Sequence, residues 1–228
     1  MHVLPVSARL IKVSILTLLS AFSWAGSGIA VDEWQVLFNG KDLAGWRPNT
    51  QPEAFSVVDG AIRVHATQAY AHLFFIGDGS PDAGRFKNFE LEATVRGEPS
   101  SNSGIFFHTA SDCGEGPKLT LKKGYEVQLN STVKEKRKTG SLYAVVDLAE
   151  SPVDEGQWFK VRIRVEGRRI VVHVNDQQTV DYTETDGAPR LKGFEGRLLD
   201  PAGGLIALQA HDPESTFYFR DVRVRRLP

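Results

Sequence analysis

The chain has 228 residues, with 27 Lys and Arg against 28 Asp and Glu and a formal net charge of -1. That balance argues against a nucleic-acid binder, which would carry a basic stripe. Its single cysteine, Cys113, forms neither an internal disulfide nor a zinc-thiolate site, so the core must come from apolar side chains.

Residues 1–30 read as a targeting segment. Arg9 and Lys12 precede an uncharged stretch with its apolar centre at 13–24, and small residues follow at Ala25, Gly26, Ser27, Gly28 and Ala30. A positive start, an apolar middle and a small-residue end describe a secretory signal peptide, cleaved after Ala25 or Ala30. The expectation is an exported protein, periplasmic or extracellular, with no stable membrane insertion after cleavage. A retained anchor fits less well, because the apolar centre is short. Residues 31–228 fit one domain, long enough to bury an adequate core.

In that domain short apolar or alternating runs are separated by Gly, Pro, Asn and Asp, and almost nothing has helical periodicity. The predicted strands are 35–38, 55–58, 61–65, 72–76, 88–96, 104–109, 124–130, 141–146, 158–165, 170–175, 205–211 and 216–226. Asp59-Gly60 is a turn signal between two such runs. Ile105, Phe106 and Phe107 follow one another directly, so that strand must be covered on both faces. In 124–130, Glu126, Gln128 and Asn130 share one face, and Tyr125, Val127 and Leu129 the other. A carboxylate and amides backed by apolar residues present a polar groove.

Further on, Val161, Ile163 and Val165 alternate with Arg162 and Arg164, and Glu166-Gly167-Arg168 turns the chain into Ile170, Val172 and Val174, an antiparallel hairpin. Phe217 and Phe219 are one residue out of phase with Val222 and Val224, which a bulge near Arg220-Asp221 would repair. The fold class is all-β, a two-sheet antiparallel jelly-roll sandwich. The connections 109–123 and 183–203 are long for a compact domain, as lids or groove walls are.

Several segments together resemble the 3-keto-disaccharide hydrolase domain family. They are Leu37-Phe38-Asn39-Gly40-Lys41-Asp42-Leu43-Ala44-Gly45-Trp46, Asn88-Phe89-Glu90-Leu91, Asn102-Ser103-Gly104-Ile105-Phe106-Phe107 and Tyr125-Glu126-Val127-Gln128-Leu129. Thr139-Gly140-Ser141-Leu142-Tyr143, Leu205-Ile206-Ala207-Leu208-Gln209-Ala210-His211 and Phe219-Arg220-Asp221-Val222-Arg223-Val224 complete the order. The resemblance implies a concanavalin A-like jelly roll and activity on glycosides already oxidised to a ketone at C3. The family usually carries Arg where this chain has His108, and commonly Asp where it has Asn130.

A C3 ketone acidifies the proton on C2; its removal gives an enolate that can expel the C1 substituent, and water can then add back. Such a site needs a base near C2, a donor or metal at the C3 oxygen, and an acid at the leaving oxygen. It does not need two carboxylates flanking the bond, and strand 124–130 offers one acid. The candidate catalytic residues are Glu126, His211 and His108. Glu126 is the first choice for a functional carboxylate, His211 the second because it shares a face with Gln209 and Ala207, and His108 either donates to the keto oxygen or caps the strand beside the long loop. Gln128, Gln209, Tyr143, Asn130 and Trp46 are the candidate substrate binders, although Trp46 reads more readily as a core aromatic. No cofactor is demanded, but Glu126, His108 and His211 could hold a divalent metal, without any compact ligand spacing to support it. The expected partner is a carbohydrate; the alternative function is a non-catalytic carbohydrate-binding jelly-roll module.

Overall fold

Strand alternation carries through into the computed structural model, which describes residues 1–2, 33–112, 114–115 and 120–228. All of the expected signal segment after residue 2, and Cys113, lie outside the described residues. The first seven strands are β1 (Gln35–Val36), β2 (Trp46–Pro48), β3 (Phe55–Val58), β4 (Ala61–Val64), β5 (Ala71–Phe75), β6 (Phe89–Gly97) and β7 (Asn102–Thr109). There follow β8 (Gly114–Glu115), β9 (Thr120–Leu121), β10 (Tyr125–Asn130), β11 (Phe159–Glu166), β12 (Arg169–Val174), β13 (Gln177–Thr183), β14 (Leu205–Ala210) and β15 (Phe217–Arg226). Among the described residues the one helical element is a 3-10 turn at Pro52–Ala54, and no helix is long and apolar enough to cross a membrane.

Two antiparallel sheets form the sandwich. One runs β13-β12-β11-β6-β15-β4-β3, with β1 beside β15; the other runs β10-β7-β14-β5-β2. The core lies between them. Leu91, Val95, Ile163, Val172, Phe217 and Phe219 from the first sheet meet Leu73, Ile105, Phe107, Tyr125, Val127 and Leu208 from the second. Each such apolar side chain stabilises the fold by about 1.5–3 kcal/mol. The outer face of the first sheet is an ion-pair ladder in which Arg223 and Arg225 reach Glu92 and Glu90 at 2.5 and 2.8 Å.

The predicted turns are found. Asp59 and Gly60 both take positive φ (48° and 74°) between β3 and β4, and Gly167 does so (58°) between β11 and β12. The β15 ladder slips between Arg220 and Arg223, with Asp221 at φ 52°, which restores the phase of Val222 and Val224. One prediction fails: 141–146 is not a strand. Leu142 and Val146 exchange two backbone hydrogen bonds of 2.9 Å around Ala144 (φ 62°), so the segment folds back on itself. The strands β2 and β13, absent from the predicted set, are edge strands of mixed polarity whose alternation is weak.

Candidate active site

The second sheet is buried on both faces. On its outer face Phe74, Phe106, Leu121 and Ala207 form a small apolar cluster. Beside it, the same face bears Asn102, Glu126, Gln128 and Gln209, which with Tyr70, Tyr143, Phe194, Arg197, Glu135 and His211 line a cavity of about 150 Å³. The alternation of β10 puts Glu126 and Gln128 there while Tyr125 and Val127 enter the sandwich core. A larger depression of about 490 Å³, beside the Asp221 bulge of the other sheet, contains none of the expected site residues.

Glu126 is 5% exposed and Arg197 1%. The Arg197 Nη2 donates to Glu126 Oε2 at 2.9 Å. The guanidinium also lies 5.3, 5.9 and 5.6 Å from the ring centres of Phe106, Tyr143 and Phe194. Burial pushes the Glu126 carboxyl up to about 7, against the opposing pull of the Arg197 charge. A carboxyl titrating near neutrality is suited to proton transfer in either direction.

A chain of hydrogen bonds crosses the cavity floor. Asp212 Oδ2 lies 2.6 Å from His211 Nδ1, His211 Nε2 lies 3.1 Å from Asn102 Nδ2, and Asn102 Oδ1 accepts from Gln128 Nε2 at 3.0 Å. An amide nitrogen can only donate, so Nε2 accepts and the His211 proton sits on Nδ1, directed at Asp212. Burial raises the Asp212 carboxyl, but hydrogen bonds from His211 and Ser215 outweigh it and hold it below its usual range. The Tyr70 ring packs edge-on to His211 with centroids 4.7 Å apart. Gln128 Oε1 and Gln209 Oε1 are buried and have no hydrogen-bond partner among the described residues. Buried acceptors of this kind at a cavity wall are suited to sugar hydroxyls, which would supply the missing donors.

At the rim, the Tyr143 hydroxyl donates to Glu135 Oε2 at 3.1 Å. Burial, then the charges of Glu135 and Glu126, raise the Tyr143 phenol, and burial does the same first for Tyr70. Both tyrosines therefore stay neutral hydroxyls.

The fold thus brings together five expected residues: Glu126, Gln128, Gln209, Tyr143 and His211. It places three elsewhere. His108 leaves the groove face because β7 bulges against β14, where Leu205 pairs with Thr109 but Ala207 with Phe106. His108 takes φ 54°, its ring stacks on the core ring of Phe89, and it bridges the Asp200 N–H (3.0 Å) and the Lys87 carbonyl (2.9 Å). Trp46 is a core aromatic: its Nε1 donates to the Leu37 carbonyl at 2.7 Å and its ring meets Phe75 edge-on. Asn130 is fully buried, and its Nδ2 donates to the carbonyls of Glu135 and Arg137 at 2.9 Å each, so it shapes the loop instead of facing a ligand. With His108 removed, Glu126, His108 and His211 do not make a three-ligand metal site. Among the described residues, no group of three His, Cys, Asp or Glu is placed to hold an ion.

Sequence reasoning missed Arg197, Asn102, Glu135, Tyr70, Phe194 and Asp212. Extending the alternation of β7 back from Phe106 through Gly104 reaches Asn102, so that residue was findable. Glu135 gives the cavity a second carboxylate, supplied by a loop and not by β10. Arg197 lies in the long connection expected to be a groove wall, but nothing local distinguishes it from Arg190.

A family model described as a 3-keto-alpha-glucoside-1,2-lyase-like domain matches residues 33–225. A 3-keto-disaccharide hydrolase of Bacteroides thetaiotaomicron is 26% identical over 236 aligned positions, covering 87% of this chain and 80% of that protein. A candidate glycosyl hydrolase from Parabacteroides distasonis superposes with a TM-score of 0.68 at 21% identity, over 86% of this chain and 94% of the other. The carbohydrate-binding module CBM66 of Bacillus subtilis does so with a TM-score of 0.54 at 13% identity, over 80% and 96%. At such identities the structural likenesses show the fold.

Proposed function

The chain belongs to the 3-keto-alpha-glucoside-1,2-lyase-like domain family, and from that premise we propose that it is an exported enzyme cleaving 3-keto-glycosides, 3-keto-disaccharides among them. The observation that carries the reading is the buried Glu126–Arg197 pair on the wall of a small polar cavity. The name of the Bacteroides relative supports the substrate class. Export rests on the positive, apolar and small-residue order of residues 1–30.

In this reading Glu126 takes the proton from C2, and the electron pair of the C–H bond moves to give an enolate at the C3 oxygen. Arg197 faces that oxygen. Its charge acts in a water-poor, aromatic-walled site, where a fixed donor stabilises developing negative charge most effectively. The enolate collapses to form the C1–C2 double bond while the C1–O bond breaks. The leaving oxygen takes a proton from Nε2 of His211 in its imidazolium form, in which Nε2 donates instead of accepting from the Asn102 amide while Nδ1–H stays on the Asp212 carboxylate. Hydration reverses the roles. His211, now neutral with its proton on Nδ1 as the hydrogen bonds place it, accepts a proton from water adding at C1. Glu126 returns its proton to C2. The sum is one bond cleaved and one water consumed, with no net change at either residue. Gln128 and Gln209 bind ring hydroxyls through their open carbonyl oxygens.

The test is to incubate the mature protein with a 3-keto-disaccharide and its unoxidised parent, with and without a chelator. Release of the leaving group from the keto form alone supports the reading. Release from the parent would point instead to ordinary hydrolysis by Glu126 and Glu135. Binding without release would make the domain a carbohydrate-binding module; the chelator arm reads metal dependence directly.

A further inference from the structure

The Arg197 guanidinium reaches the cavity from a connection without regular structure, between β13 and β14, yet it is among the most deeply buried side chains of the protein. A long arginine on such a loop keeps one geometry only if its backbone is held on both sides. Two contacts do this. Arg190 Nε donates to the carbonyl of Arg197 itself at 2.7 Å. The Leu199 N–H donates to Glu184 Oε2 at 2.8 Å.

Arg190 and Glu184 are in turn joined through one hydroxyl. Arg190 Nη2 donates to the Tyr125 oxygen at 2.9 Å, and that hydroxyl donates to Glu184 Oε2 at 2.6 Å. The two charged side chains are 6% and 10% exposed and 3.8 Å apart. The Tyr125 ring stacks on Phe107 inside the sandwich, so the strut is anchored in the core. Gly196 fits the loop closely over the preceding segment: a β-carbon there would meet the Lys122 carbonyl at 2.4 Å, and its own carbonyl accepts from Gly124 N at 3.0 Å.

We infer that Arg190, Glu184 and the Tyr125 hydroxyl form a strut that positions the Arg197 guanidinium against the Glu126 carboxylate. This rests on the reading that Glu126 is the reactive carboxyl. Tyr125 and Glu126 are consecutive on β10, one facing the core and the other the cavity, so strut and base share one piece of backbone. Any slip of the loop therefore changes the Arg197–Glu126 distance directly. None of the three touches the cavity, so they are positioning residues.

The groups facing Glu126 are Arg197 from the β13–β14 connection, Glu135 and Arg137 from the loop after β10, and the hydroxyls of Tyr70 and Tyr143. Arg197 is the nearest cation and favours the ionised carboxyl. Loosening it leaves burial opposed mainly by the more distant Arg137, so Glu126 holds its proton to higher pH.

The experiment is a pH titration of the Glu126 carboxyl by difference infrared spectroscopy. The band is assigned by its loss in Glu126→Gln, and the titration is repeated in Arg190→Lys, Tyr125→Phe and Arg197→Lys, with thermal unfolding of each. Arg190→Lys keeps the charge but loses the fork that reaches two acceptors at once; Tyr125→Phe removes one oxygen and should fold in any case. The expected result is a midpoint raised by roughly one pH unit in all three folded variants. An unchanged midpoint in Tyr125→Phe and Arg190→Lys, with only a lower unfolding temperature, overturns the proposal. So does an unchanged midpoint in Arg197→Lys. The titration needs no substrate, so failure to cleave keto-sugars would sink the proposed function and leave this result standing.

Discussion

Gly104 lies against the carboxylate of Glu126: a β-carbon at that position would sit 2.6 Å from Oε1 and 3.0 Å from Cγ. Gly104 pairs with Gln128 across the ladder, so its missing side chain leaves a diagonal hollow in which the acid lies flat beside Arg197. A Gly104→Ala change must push the carboxylate out of that hollow. Overpacking of this kind costs about 1–3 kcal/mol. The expected outcome is a modest fall in unfolding temperature with a kcat/KM loss of roughly tenfold or more, since small displacements of a reacting group are costly. Steady-state kinetics on folded Gly104→Ala would contradict the placement if turnover matched the parent.

Glu126 ties activity and stability to pH in opposite directions. Burial raises its folded pKa to about 7 from the ordinary 4.5. As a base it works ionised, so kcat/KM should climb with pH through about 7. Stability runs the other way. A carboxyl with a raised folded pKa contributes fully below about 4.5, and that contribution is lost as pH rises through about 7. Glu126→Gln should abolish the rising limb, cut turnover by on the order of 10² or more, and flatten the stability profile in that window. Paired rate and denaturation profiles check both signs, and a rising limb that persists in Glu126→Gln would assign it to another group.

What was legible beforehand follows from the range of each signal. Alternation is a local property, so Glu126 and Gln128 on one face of β10, and Gln209 on β14 with His211 just past its end, were readable directly. The same reasoning misplaced His108, because a positive φ at one residue reverses the face and nothing in Phe106-Phe107-His108 announces it. The glycines that permit the bulge are remote: a β-carbon on Gly124 would meet the Phe107 carbonyl at 2.3 Å, and one on Gly204 the His108 carbonyl carbon at 2.5 Å. Arg197 was hidden for a different reason. Its importance is that of an ion pair spanning 71 residues, and sequence patterning carries no information on which loop arginine closes it.

His211 depends on Asp212 for its tautomer. Asp212→Asn replaces the acceptor facing Nδ1 with an amide that can donate, which favours the proton on Nε2 and sets it against the Asn102 amide. Turnover should fall by on the order of 10² or more, while the partly exposed position keeps the stability loss near 1 kcal/mol. Imidazole nitrogen shifts measured by NMR in the parent and in Asp212→Asn report the tautomer. An Nδ1 proton retained in the variant would remove Asp212 from this role.

His108 bridges two loops, and its burial lowers its pKa despite the opposing effect of its hydrogen bonds with the Lys87 and Asp200 backbone. It is therefore neutral, with Nδ1 accepting from Asp200 and Nε2 donating to Lys87. His108→Ala leaves both backbone groups without that partner, at about 1–3 kcal/mol for each that stays buried. The unfolding temperature should drop, with kcat per folded molecule within roughly threefold of the parent, because ~0.6 kcal/mol separates such rates. A large loss of kcat without a loss of stability would return His108 to the reacting centre.

Asn130 works through donors that aspartate lacks. Its Nδ2 holds the Glu135 and Arg137 carbonyls while its Oδ1 accepts the Thr132 N–H at 2.8 Å. The loop so formed carries Glu135 to the cavity rim and Arg137 over the Tyr143 ring. In Asn130→Asp the Thr132 bond can persist, but the second oxygen then faces two carbonyl oxygens in a fully buried site. An ionised carboxylate there is both desolvated and repelled, so the neutral-pH cost should be about 2–4 kcal/mol. Acid reverses part of it, because a protonated carboxyl can donate to one of the two carbonyls. The predicted signature is an unfolding temperature well below the parent at neutral pH, with the gap narrowing as pH falls. A substrate-binding role would give the reverse pattern, a raised KM at unchanged stability, and thermal unfolding across pH set beside KM for Asn130→Asp separates the two.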